Sequence, residues 1–367
     1  MKKAISLLLV LAMAVNLAAC ASEKNPAKDS AGGTSLAAES EQGQTEQQQG
    51  QSEQISPTEQ VSQTEQPSAK DSHYPVTVTT YDFEGNEIQT TYEKAPEKVL
   101  CVYQGCVEIM IALELEGHVA ASYGLDNPVK EEWEAGLSKM NYNEDVFAPD
   151  KETVLMMEPD LILSWGSIFS DKNLGDAAEW IANGTNNYIS SNTRSGGHPR
   201  TLENEYADIL NIGKIFDVEE KAQAIVDEMK DEIASVLSQT QGQDAPRVAI
   251  IEFLNDNITN YGASQLGGDM VTQLGGVLVE PEASSVGKED LLELDPDVVF
   301  VVYMARTEGV EEEMRGKLVD DPAFSDLSAV KNGRVYTIML GDMYASTVRS
   351  IDGIRTFAAG MYPELYE

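Results

Sequence analysis

Positive charge is scarce in this 367-residue chain. Its 25 Lys and Arg face 62 Asp and Glu, for a net charge of −37. Nine acids and five bases precede Tyr74, which leaves 53 acids against 20 bases in the remainder. Nucleic acid and anionic lipid surfaces both need a positive face, so neither is an expected partner. Cysteine is nearly absent as well. Cys20, Cys101 and Cys106 are the only three, which excludes a disulfide scaffold, and no zinc-site spacing is present. Cys101 sits in the apolar run KVLCVY, which favours a buried strand position, while a local Cys101–Cys106 bridge outside the cell stays open. Histidine is limited to His73, His118 and His198. Direct capture of a bare metal ion therefore stands only as a weaker alternative, and no resident metal or cofactor is expected. Gly-x-Ser-x-Gly, Gly-Lys-Ser/Thr and His-Glu-x-x-His are all missing, so the chain is not expected to be an enzyme.

What the chain does have begins with MKKAISLLLVLAMAVNLAAC. A basic start, a short apolar core and small residues before Cys20 read as a secretory signal over residues 1–19. The apolar run is too short to span a bilayer. Its end, Leu17-Ala18-Ala19-Cys20, resembles the lipobox of bacterial lipoproteins. Lipidation of Cys20 would anchor the protein to the membrane through lipid alone. From there to residue 73, Gln, Ser, Glu, Thr and Gly dominate. Such a composition cannot bury enough apolar surface to offset ordering, so residues 20–73 are expected to form a disordered tether, long enough to reach through a thick wall.

Beyond it, VTVTTYDFEGNEIQTTY predicts a hairpin, and strand and helix patterns then alternate to the end. TLENEYADILNIGKIF predicts a helix capped by Thr201. DVEEKAQAIVDEMKDEIASVLSQT is the longest helical pattern, with Ala222, Ile225, Met229, Ile233 and Val236 on one stripe. Alternation of this kind implies α/β architecture with parallel sheets. KETVLMMEPDLILSW at 151–165 and KEDLLELDPDVVFVV at 288–302 nearly coincide, one on each side of the long helix. In each, a short helix stops before proline and feeds a buried strand. Two lobes of like build are the expectation.

Ligands of parallel sheets bind beyond the carboxyl ends of the strands. Those ends hold Tyr103, Trp165, Tyr303 and Arg306, and Tyr261 and Tyr344 are further candidate ligand contacts. SSNTRSGGHPR concentrates Arg194, His198 and Arg200 in a base-poor chain. Arg194 and Arg200 are a candidate grip for carboxylates, catecholates or phosphates, with a solvated loop that balances nearby acids as the alternative. A helix feeding such a strand starts on the strand's carboxyl side, which places Glu152 and Glu289 as one negative knob per lobe. The helix dipole alone also favours a carboxylate there.

Together these stretches, with the hairpin before APEKVLCV, VEIMIALELEG and NYGASQLGGDMVTQLGG, resemble a known family over nearly all of residues 74–367. It is the class III, helical-backbone group of periplasmic-type binding proteins, the substrate-binding lipoproteins of ABC importers for iron–siderophore, haem and cobalamin. The resemblance implies two Rossmann-like α/β lobes with parallel sheets, residues 74–216 and 242–367, joined by a single long helix at 217–241, with a ligand cleft between them. It implies that Glu152 and Glu289 dock on arginines of a permease dimer served by its ATPase, and that Trp165 fills an aromatic cleft position. The implied role is capture of a small metal complex by a lipid-anchored monomer on the extracytoplasmic face of a Gram-positive-type membrane. A ferric siderophore is the first expectation, and haem or cobalamin in the same role the alternative. The scarcity of bases weighs against a highly anionic tricatecholate complex. A sensor that uses the same fold without transport belongs to a different class.

Overall fold

The computed structural model describes residues 73–255 and 257–366. The expected signal segment, Cys20 and the tether up to residue 72 lie outside the described residues. The folded chain opens with an antiparallel hairpin, β1 (Val76–Tyr81) and β2 (Glu87–Tyr92). The first α/β unit follows as β3 (Val99–Val102), α1 (Gln104–Ala112), β4 (Val119–Tyr123), the single turn α2 (Glu134–Leu137), α3 (Lys151–Met157), β5 (Leu161–Ser164), α4 (Ala177–Ala182), β6 (Asn186–Ile189) and α5 (Leu202–Ile215). Its strands form one parallel sheet in the order β4-β3-β5-β6. VLCV and LILS are buried at every position, as strands covered on both faces must be.

Helix α6 (Glu219–Gln239) then runs 21 residues, about 30 Å at 1.5 Å per residue, into the second unit. Ala222, Val226, Met229 and Val236 are its buried stripe, while Ile225 and Ile233 stay half-exposed. The second unit comprises β7 (Arg247–Leu254), β8 (Asn257–Asn260), α7 (Leu266–Gln273), β9 (Val277–Leu278), β10 (Ser285–Val286), α8 (Lys288–Leu294), β11 (Val298–Tyr303), α9 (Val310–Val319), α10 (Ser328–Lys331), β12 (Val335–Met339), α11 (Leu340–Met343) and α12 (Ser350–Met361). Its core, β7-β11-β12, is parallel like the first sheet, but β8 and β10 add an antiparallel edge that the sequence reading lacks. Strands of four and two residues are too short to show alternation. Helix α9 also escaped the reading: its first turn is three glutamates and only Leu318 is buried.

The twin stretches now have a physical explanation. Both short helices end in a left-handed residue, Glu158 (φ 49°) and Asp295 (φ 40°), immediately before the proline. The aspartate after each proline caps the neighbouring parallel strand. Asp160 accepts from Glu97 N at 2.7 Å and Lys98 N at 2.9 Å, and Asp297 accepts from Arg247 N at 2.8 Å. The lysine that opens each helix is pulled sideways by an acid, Lys151 towards Glu179 at 3.5 Å and Lys288 to Asp321 at 2.7 Å. Lysine, proline and aspartate thus perform the same structural task twice. Among the described residues Glu152 and Glu289 have no such contact.

Candidate functional site

Three aromatic rings meet where the carboxyl ends of β3, β5 and β12 approach one another. Tyr103 follows β3 with φ 78° and ψ 154°, an unusual backbone for a tyrosine and the kind of strain that collects at functional sites. Its ring stacks on Trp165, just past β5, with centroids 4.7 Å apart and planes at 27°. Trp165 in turn lies 6.1 Å from Tyr344 of the other lobe. Phe147, half exposed, tilts against Tyr103 at 5.7 Å. The Arg200 guanidinium covers the Tyr344 ring at 3.6 Å, within cation–π range. Trp165 Nε1 is buried without a hydrogen-bond partner, a deficit of about 1–3 kcal/mol that an acceptor would remove.

The rim is latched across the lobes. Asn127 Oδ1 accepts from Ala305 N at 3.0 Å, and Arg306 lies 3.6 Å from Asp126. Gln104 Oε1 holds this loop by accepting from Asp126 N and Asn127 N at 2.9 and 3.1 Å. Between Gln104, Asn127, Trp165, Met304 and Tyr344 a cavity of ≈40 Å³ remains. Larger, open grooves lie elsewhere: ≈690 Å³ beside Gly287 and Lys288, and ≈480 Å³ beside Lys151 and Glu158, each flanking one of the twin helices.

The candidate contacts do not all converge. Tyr103, Trp165, Arg200 and Tyr344 form one cluster, with Arg306 at its rim. Tyr261 is buried and donates to Glu252 at 2.7 Å. Tyr303, half-buried at the end of β11, makes no ring stack among the described residues. The two arginines of the glycine-rich loop are held by different partners. Arg194 donates to Tyr81 Oη of the hairpin at 2.5 Å and lies over that ring, whereas Arg200 reaches the second lobe through Tyr344 and Gln265. Glu152 and Glu289 are exposed in the first turns of α3 and α8, and among the described residues neither carboxylate has a hydrogen-bond or ion-pair partner. Cys101 and Cys106 are buried free thiols, so the local bridge does not form. Cys106 lies 3.5 Å from Ser190 Oγ, and burial pushes its thiol up to about 12.

The floor of the cleft was not visible in the sequence. After Tyr344 the chain crosses to the first lobe, where Glu205 accepts from Ser346 N at 3.2 Å, Thr347 N at 2.8 Å and Asn192 Nδ2 at 2.6 Å. Gly105 permits this approach, since a Cβ there would meet Thr347 Oγ1 at 2.7 Å and the Ala345 carbonyl at 2.9 Å. One turn along α5, buried Asp208 accepts from Ser191 N, Ser191 Oγ and Tyr188 Oη at 2.7, 2.6 and 2.8 Å. Burial, then the Asp208 charge, pushes Glu205 up to about 7; burial pushes Asp208 up to about 6. A carboxyl raised by folding binds its proton more tightly in the folded state. Its stabilising contribution is complete below the unfolded value of about 4 and is lost as pH rises through the folded value. The thermal midpoint is therefore expected to fall as pH rises from ~4 to ~7. Glu205→Gln should flatten that fall; an unchanged slope in calorimetry would refute it. Partly exposed carboxyls held low by hydrogen bonds, such as Asp82 and Asp295, titrate below this window.

Comparison with known proteins agrees with this geometry. The family model described as periplasmic binding protein matches residues 99–339. The uncharacterized ABC transporter substrate-binding lipoprotein YvrC of Bacillus subtilis is 24% identical over 311 residues, covering 80% of this chain and 88% of its own. The petrobactin-binding protein YclQ of the same organism is 25% identical over 271 residues, with 70% and 79% covered. A crystal structure of a periplasmic binding protein from Veillonella parvula superposes with a TM-score of 0.76 at 28% identity, covering 80% of this chain and 93% of that one. Twin lobes on one long helix, an aromatic cluster at the facing strand ends and a matching family model over most of the folded chain lead to one assignment: the chain belongs to the periplasmic binding protein family, as an ABC transporter substrate-binding protein.

Proposed function

We propose that the protein captures an iron complex, a ferric siderophore first, in the cleft between its lobes and delivers it to an ABC permease dimer on the extracytoplasmic face of the membrane. Haem or cobalamin in the same role is the alternative. The observation that carries this reading is the cluster of Tyr103, Trp165 and Tyr344 with the unpaired Trp165 Nε1 beside them. Aromatic faces cover the apolar surface of a flat chelate, and an indole N–H orients one of its oxygen acceptors. Arg200, already over Tyr344, supplies a cation to a ligand oxygen. The ≈40 Å³ cavity is far below the ~300 Å³ or more of a small-molecule site, so the stacked rings must part as the ligand enters. The name of the relative YclQ, a petrobactin-binding protein, is in keeping with this reading.

Among the described residues no helix is long and apolar enough to cross a membrane. In this reading attachment falls to lipid on Cys20, and Glu152 and Glu289 face arginines of the permease. The test is tryptophan fluorescence against a panel of ferric siderophores, haem and cobalamin. One member is expected to quench strongly, and Trp165→Phe to remove most of the quench and weaken binding by about tenfold, since Phe keeps a ring but lacks the indole N–H, whose hydrogen bond is worth about 0.5–1.5 kcal/mol. A panel without any quench, or a quench intact in Trp165→Phe, would remove the cleft from this role. Trp180, whose Nε1 already donates to the Leu174 carbonyl at 3.1 Å, is the internal control.

A further inference from the structure

The described residues begin at a cluster that the transport reading does not use. His73 Nε2 lies 2.7 Å from the carbonyl oxygen of Lys214, at the C-terminal end of α5. A carbonyl only accepts, so Nε2 carries the hydrogen and Nδ1 points the other way. There it meets Asp217 Oδ1 and Glu219 Oε1, each at 3.3 Å. Three electron-rich atoms thus converge, and all lie within 4.8 Å of one another. The amine of Lys214, whose carbonyl anchors the ring, is engaged elsewhere: Lys214 Nζ donates to the Thr77 carbonyl at 2.9 Å.

We propose that His73, Asp217 and Glu219 form a binding site for a borderline divalent metal ion of the zinc type, which fastens the start of the folded chain to the N-terminus of the long helix. The distances favour an ion over a second ring proton. Bonds of about 2.0–2.1 Å at tetrahedral angles set neighbouring ligand atoms about 3.3 Å apart. A charged imidazole N–H would instead draw one carboxylate in to about 2.7–2.9 Å, and here neither is that close. The Nε2–H donated to a backbone carbonyl is the outer contact that metal-bound histidines keep, as it fixes the tautomer and the ring plane. Two carboxylates and one imidazole leave a fourth position for water. Asp217 and Glu219 are about half exposed or more, so the ion would exchange freely with solution. Sequence spacing could not reveal the site, since His73 and its Lys214 anchor are 141 residues apart.

The site shares no residue with the cleft, so its test is independent of the transported ligand. Zinc chloride is titrated calorimetrically into the chelator-stripped full chain at neutral pH. One equivalent is expected to bind and to raise the thermal midpoint. His73→Ala should cost at least the roughly tenfold that loss of an outer partner alone costs a metal site. The double variant Asp217→Asn, Glu219→Gln serves if His73→Ala fails to fold. Zinc bound equally by the wild type and the variants would mean ions scattered over an acidic surface and would overturn the site. Failure to bind any zinc would reduce the cluster to an ion pair and overturn it too.

Discussion

Replacing Glu152 and Glu289 together by arginine is expected to abolish uptake while ligand affinity stays within about twofold, the range of a surface change. The basis is what the twin stretches leave unused. Lysine and aspartate are each occupied by a structural contact in both copies, and among the described residues the two glutamates are not. An exposed carboxylate at a helix start gains a few tenths of a kcal/mol from the dipole, so stability should barely change. In the proposed docking the two negative knobs meet a complementary permease surface, where like charge placed opposite like charge costs several kcal/mol, a loss of about 100-fold or more in docking. Each single variant should retain part of the activity. Whole-cell uptake, measured beside tryptophan quenching of the purified protein, separates the two effects. Undiminished uptake by the double variant would remove the docking role, and lost quenching would show that the substitutions disturb the cleft instead.

The parts of this molecule that could be read from sequence are those whose cause is local. VLCV, LILS and VVFVV announce fully buried strands because parallel sheets need apolar residues on both faces. Thr201 caps α5 as its position suggests, accepting from Asn204 N at 3.2 Å. The long helix shows its stripe within its own 21 residues. What stayed hidden depends on a distant partner. Glu205 is an ordinary helical glutamate until Thr347, 142 residues on, presents its amide. Arg194 looked like a twin of Arg200, but the hairpin turn packs against residue 195 and brings Tyr81 within reach of Arg194 alone. Glu108 is the instructive case. A lone acid in the apolar run CVEIMIAL signals a buried partner, and the signal does not say which of the chain's few bases answers it.

Arg349 answers it, and its removal is the substitution expected to damage the fold most. Arg349 and Glu108 are almost wholly buried, with side chains 5% and 0% exposed. Arg349 donates through Nε and Nη2 to the two Glu108 carboxylate oxygens, both at 2.7 Å, and through Nη2 to the Pro128 carbonyl at 2.7 Å. Gln104 adds a bond to Glu108 at 2.6 Å, and Asp342 lies 3.6 Å from Arg349 Nη1. The pair ties the segment after Tyr344 to α1, joining the two lobes behind the cleft. Burial raises the Glu108 pKa, and the guanidinium opposes that rise. Arg349→Met leaves the carboxylate buried without its cation, which costs about 3–5 kcal/mol, or about 10 °C in thermal midpoint for a unit of this size. Without the arginine, Glu108 regains neutrality by holding its proton. The loss should therefore be smallest at acid pH and grow as pH rises above the unfolded glutamate value of about 4.3. Adding Glu108→Leu removes the stranded charge, and the double variant is expected to recover most of the stability, because apolar pairs often replace buried ion pairs without loss. Denaturant titrations of the wild type, Arg349→Met, Glu108→Leu and the double variant across pH close the cycle. A single variant less than about 1 kcal/mol below wild type, the worth of an exposed ion pair, would mean that water reaches the pair.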